Sequence, residues 1–271
     1  MKATLALFVS VVVMVSAQNL PIVGKRFTSS YNPQTAGILA DAKAITMVYV
    51  FDYWSIRATS DRNPSTLFFN VTNPDPALVN RVELKQDGGI WKAEIEIPAN
   101  ASLLSYYFAA GEKNDYNHNN TYVSYLYNEN GTPVRNARFR NIDFLQMALK
   151  SMTDQLSEIS DELKDYPDNY VAYVPYWMLR FDTTSSTKSL QMLEKEVNDQ
   201  FDVLEKKLGA TDSLMNVKAG VVYRYALRLR AEGTGLEEPV VLEFKRIVKG
   251  IPVAKRFRYI QSIYTNWFGN Q

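Results

Sequence analysis

VNRVELKQDGGIWKAEIEIPANASLLSYYFAA, Val79 to Ala110, decides how this chain folds. In its second run Trp91, Ala93, Ile95 and Ile97 alternate with Lys92, Glu94 and Glu96. That period of two marks a half-buried antiparallel strand, with Glu94 and Glu96 on the solvated face. Val82 and Leu84 alternate with Arg81, Glu83 and Lys85 in the same way. Asp87-Gly88-Gly89 tolerates positive φ, so a hairpin closes between the two runs. Pro98 has no N–H for a ladder and stops the strand. Leu103–Ala109 forms a third run. The expectation is a three-strand meander with a β-sandwich built around it.

Working outward, Arg26–Ser29 reads as a short first strand. AITMVYVFDYW, Ala44 to Trp54, is the longest β-branched and aromatic run and reads as a central strand. Thr66–Val71 and Thr121–Tyr127 alternate as well, and Gly111–Asn120 between them reads as a loop tip. Turn residues separate these segments at the spacing of an immunoglobulin-like sandwich covering about Gly24–Pro133.

Near Asn141 the period changes to that of helices. Asn141–Leu163 carries one apolar stripe, and Asp165-Tyr166-Pro167-Asp168 breaks it. Asn169–Phe181 reads as an aromatic helix. Ser and Thr residues of Thr183–Thr187 cap Leu190–Leu208, which ends at Gly209. Asp212–Ala231 has Asp212 or Ser213 as its cap and Gly233 as its stop. Pro239–Lys249 and Val253–Phe268 complete the series. Short turns and single apolar stripes suggest stacked helical hairpins of the tetratricopeptide type, without the strict repeat consensus. The predicted class is therefore α+β and multi-domain. An antiparallel immunoglobulin-like sandwich (18–138) is followed by an all-α helical-hairpin domain (139–271).

Residues 1–17 read as a signal peptide. Lys2 supplies a positive start, Ala3–Val15 is apolar but short for a bilayer, and Val15-Ser16-Ala17 is a small-residue cleavage site. The expected location is exported, periplasmic or extracellular, with no later membrane span. A net charge of +1 argues against a surface built for nucleic acid. Cysteine is absent, which excludes disulfides, thiolate metal sites and a CxxC redox pair. With His118 the only histidine, a Ser-His triad or a His-rich metal site is hard to assemble. No cofactor, metal or catalytic residue is predicted.

Two residue sets are candidates for binding. Tyr53, Trp54, Tyr107 and Tyr122 are aromatics that could line a sugar-stacking platform, because only about half the residues of such strands can face a core. Arg224, Arg228, Lys245, Arg246, Lys249 and Arg256 make the C-terminal helices basic and could meet an anionic surface or partner. An oxygen-rich stretch around His118 (Asp115, Asn117, Asn119, Asn120) lacks the spaced carboxylates of a calcium loop and reads as turn chemistry.

The element order resembles the N-terminal part of exported bacterial thioredoxin-like proteins, in which a sandwich and helical repeats precede a thioredoxin domain. The likeness is carried by Tyr31-Asn32-Pro33, Ile45–Phe51, Gly89–Pro98, and Tyr166-Pro167-Asp168-Asn169 leading into Tyr176-Trp177. The thioredoxin domain and its Cys pair are missing, so the redox activity is not carried over. The expected function is an exported, non-catalytic binding or scaffold module with a protein or cell-envelope partner. A carbohydrate-binding sandwich module and a truncated thioredoxin-like oxidoreductase are the alternatives.

Overall fold

A computed structural model describes residues 19–52, 76–117, 121–147, 150–233 and 235–269. The expected signal segment 1–17, the strand Thr66–Val71, Tyr53, Trp54 and His118 lie outside the described residues. The chain is α+β, with two antiparallel sheets followed by an all-helical region.

The strands are β1 (Arg26–Tyr31), β2 (Thr46–Phe51), β3 (Asn80–Glu83), β4 (Lys85–Asp87), β5 (Ile90–Glu96), β6 (Leu103–Ala110), β7 (Lys113–Asp115) and β8 (Tyr122–Tyr125). One sheet runs β1-β5-β4; the other runs β3-β2-β6-β7, with β8 also on β6. A single turn of helix, α1 (Pro33–Ala36), follows β1 and is capped by the Asn32 side chain. The alternation in β5 survives intact: Trp91, Ala93, Ile95 and Ile97 are buried, while Glu94 and Glu96 are exposed beside Arg26.

The expected meander does not form. The hairpin is where the glycines put it, with Asp87 opposite Ile90 and both Gly88 and Gly89 at positive φ. The run before it, however, is divided between the sheets. Asn80–Glu83 pairs with β2, whereas Lys85–Asp87 pairs with β5. Leu84 lies at the division, 3% exposed, and its N–H donates to the Ile45 carbonyl at 2.8 Å. β6 pairs with β2, so the chain crosses between sheets through Pro98–Ser102. A buried leucine between two short pairings ties the sheets together, which a continuous hairpin arm would not do. Residues of both sheets, including Trp91, Ile95, Met47, Leu104 and Phe108, share one core. The expected loop tip is also corrected in part, since Lys113–Asp115 folds back onto β6.

The helices are α2 (Ala137–Met147), α3 (Met152–Asp165), α4 (Tyr173–Thr183), α5 (Thr187–Leu208), α6 (Asp212–Ala231), α7 (Glu237–Gly250) and α8 (Arg258–Phe268). The stripe expected to run unbroken from Asn141 to Leu163 is two helices. Ser151 caps the second by accepting the Asp154 N–H at 3.1 Å. Thr211 caps α6 in place of the expected Asp212 or Ser213. In α5 Leu190, Leu193, Val197, Phe201 and Leu204 are buried at spacings of three and four. Each such side chain stabilises the packed state by roughly 1.5–3 kcal/mol. The helical core is distinct from that of the sheets.

Polar contacts join the two parts. Asp52 Oδ1 accepts from the Ser102 N–H (2.8 Å) and hydroxyl (2.6 Å), and Arg140 on α2 donates to the Asp52 carbonyl at 3.1 Å. Asn141 Nδ2 donates to the Tyr125 hydroxyl at 2.7 Å, and that hydroxyl donates to Glu158 of α3. Burial and then Glu158 push the Tyr125 phenol above its ordinary range. No helix among the described residues is long and apolar enough to cross a membrane.

Candidate functional site

The sequence-predicted aromatic platform is not assembled by its described members. Tyr106 lies opposite Tyr122 in the ladder, and their rings stack at 5.2 Å on the core face. Tyr107, the next residue along β6, therefore sits on the other face, against Tyr116 at 4.7 Å. The Tyr122 hydroxyl donates to Asp115 at 3.2 Å, and Tyr31 donates to the same oxygen at 2.7 Å. Asp115 is 2% exposed, and its second oxygen takes the Asn117 N–H at 2.9 Å. This carboxylate anchors β7 to the core. Burial, followed by the charge of Asp115, raises the Tyr122 phenol to about 12.

The predicted basic set is dispersed over α6, α7 and the turn before α8. Arg228 donates to the Phe181 and Thr184 carbonyls at 3.3 and 3.2 Å and pairs with Glu232, so it fastens α6 to the end of α4. Arg256 donates to the Ile251 carbonyl at 3.0 Å and lies over the Tyr264 ring. Lys245 lies over the Phe268 ring at 4.7 Å. Arg224 is half-buried on α6, and that burial lowers its guanidinium despite Tyr223 and Asp182 nearby. Arg246, paired with Glu243 at 2.7 Å, and Lys249 are the exposed members. Most of the set holds the C-terminal helices together.

The structure instead brings together residues of α3, α4 and α5 around a cleft of about 500 Å³. Its wall on α4 follows from spacing. Tyr173, Tyr176, Trp177 and Arg180 recur at three and four residues and so share one helix face. Pro175 falls in the first turn of α4, where a missing N–H costs no helical bond. Tyr176 meets Trp177 edge to face at 5.1 Å, and the Arg180 guanidinium lies over Trp177 at 5.0 Å and Tyr176 at 5.7 Å. Ser160 and Lys164 enter from α3; Glu196, Asp199, Gln200 and Val203 enter from α5.

Arg180 donates to Glu196 Oε2 at 2.6 Å, bridging α4 and α5. Burial alone would lower Arg180; the hydrogen bond and charge of Glu196, with Tyr176, outweigh it and hold the guanidinium above its ordinary value. Asp199 pairs with Lys195 one turn earlier on α5. Tyr173 is buried, donates to the Pro167 carbonyl at 3.1 Å, and is raised to about 12 by that burial. Trp177 is 2% exposed, and its Nε1–H has no acceptor among the described residues. A buried donor left this way costs about 1–3 kcal/mol. The arrangement is an aromatic wall facing a polar one, and Arg180, Glu196 and Asp199 are engaged in ion pairs.

These residues escaped the sequence reading. Tyr176-Trp177 carried only a family likeness there, although Arg180 four residues after Tyr176 is a readable signal for a cation over a ring. Glu196 and Gln200 are ordinary polar positions of an amphipathic helix until α5 is placed beside α4. Comparison of the chain with protein-family models, with curated proteins and with solved structures finds no match.

Proposed function

We propose that the chain is an exported, non-catalytic binding module, composed of an immunoglobulin-like sandwich and a tetratricopeptide-like helical array. It acts through a partner in the cell envelope, and the α3–α4–α5 cleft is its contact site. The observation that carries this is the pairing of Arg180, Glu196 and Asp199 in the cleft. Arg180 is committed to Glu196, and Asp199 to Lys195. A general acid or base needs a proton it can release or take near neutral pH. Side chains locked in pairs instead offer fixed donors and acceptors, which is what recognition requires. The buried Asp115 supports the same reading, since its oxygens serve strand anchoring.

The test is co-sedimentation of the purified full chain with isolated cell envelopes, beside Tyr176→Ala and the exposed control Glu112→Ala. Retention of the wild type and the control, with loss in Tyr176→Ala, is expected. Absence of wild-type retention, or turnover of a substrate by the pure chain, would overturn the proposal.

A further inference from the structure

We infer that the α3–α4–α5 cleft binds a neutral saccharide unit, an inference that rests on the binding role proposed above. The first argument is size. At about 500 Å³ the cleft has room for a small polar molecule, within the roughly 300–1,000 Å³ typical of small-molecule sites.

The second argument is charge. Two cations, Lys164 and Arg180, and two carboxylates, Glu196 and Asp199, line the cleft, so its formal charges cancel. An anionic ligand would meet both carboxylates. A cationic one would have to compete with Arg180 for Glu196 or with Lys195 for Asp199. That exchange surrenders a formed ion pair, whereas a neutral ligand leaves both in place.

The third argument is the division of the walls. Half-buried Tyr176 stands on the α4 side with its ring partners Tyr173 and Trp177. Planar polar groups stand opposite: the Glu196 and Asp199 carboxylates and the Gln200 amide. A pyranose has this same division, with C–H bonds on one face and hydroxyls at its edge. Hydroxyls both donate and accept, so they suit carboxylates, an amide and the Ser160 oxygen at once.

Isothermal titration of the full chain with glucose, galactose, N-acetylglucosamine, cellobiose and maltose tests this, with glucuronate and glucosamine as charged counterparts. At least one neutral sugar should bind, with little dependence on sodium chloride. Tyr176→Ala should weaken it roughly tenfold through loss of the ring face, and Gln200→Ala about fivefold through loss of amide bonds. Gln200 is a half-buried surface position, so that variant keeps the test valid if Tyr176→Ala fails to fold. Failure of every neutral sugar, preference for a charged one, or unchanged affinity in both variants would overturn the inference. If no sugar binds but envelope retention still depends on Tyr176, the ligand class is wrong and the binding role stands. If the wild type is not retained at all, the binding role itself falls.

Discussion

Glu162 of α3 accepts the backbone N–H of Asn136 through Oε1 at 2.7 Å, so a side chain from one helix caps the start of another. Its other oxygen takes the Arg138 N–H at 3.3 Å, and Asn169 Nδ2 donates to Oε1 at 2.7 Å. The carboxylate is fully buried and faces the N-terminal end of α2, where unpaired N–H groups collect. It thereby fixes the point at which the sheets hand over to the helices.

Replacing this carboxylate should be costly. Glu162→Ala leaves one buried and two part-buried donors short of an acceptor, and a loss of about 3 kcal/mol is expected, with Glu162→Gln intermediate. Urea unfolding measures it; a midpoint equal to that of the wild type would show that the cap contributes nothing.

Asp143 on α2 predicts the opposite sign. Burial raises its carboxyl from 3.8 to about 6. A carboxyl with a raised folded pKa stabilises the fold below the unfolded value and loses that contribution as pH rises through the folded one. The charged form thus opposes folding at pH 7 by on the order of 2–3 kcal/mol. Asp143→Asn should raise the melting temperature at neutral pH and leave it nearly unchanged near pH 4. Equal shifts at both pH values would refute the assignment.

The Tyr31–Asp115–Tyr122 cluster sets an alkaline limit. Burial comes first in holding both phenols above the ordinary 10.0, and Tyr122 reaches about 12. The unfolded chain therefore loses these protons at lower pH than the folded one. Their contribution is complete below pH 10 and is lost as pH climbs to about 12 for Tyr122, and higher for Tyr31. Following unfolding by circular dichroism across that window should show a decline that is shallower in Tyr122→Phe. Tyr31→Phe at neutral pH removes a 2.7 Å bond to a buried carboxylate, for a loss of about 1.5–3 kcal/mol.

The hairpin turn separates steric from conformational cost. Gly88 and Gly89 have φ of 57° and 87°, and a Cβ at either would meet open space. Strain alone then decides. Gly89→Val should cost about 1–2 kcal/mol, while Gly88→Asn should be close to neutral because Asn-Gly suits a two-residue turn. Thermal melts of the two variants that coincide would count against this turn geometry.

Much of this architecture is written in short-range pattern. The alternation of β5, the glycine end of α5, the Ser/Thr caps and the aromatic face of α4 each depend on residues within one or two turns of one another. Those interactions are local, so periodicity and backbone preference suffice to place them. Partner choice is not local. Val82 and Leu84 share one alternation, yet Glu83 and Lys85 on either side of Leu84 belong to different sheets, because burying Leu84 between them joins the two layers. Tyr107 and Tyr122 look equivalent as residues but lie on opposite faces once β8 takes its register on β6. The cleft belongs to the same category. Tyr176, Arg180, Glu196 and Gln200 become one site only when α3, α4 and α5 pack, since hydrophobic burial, which brings those helices together, has no direction and leaves no spacing in the chain to read.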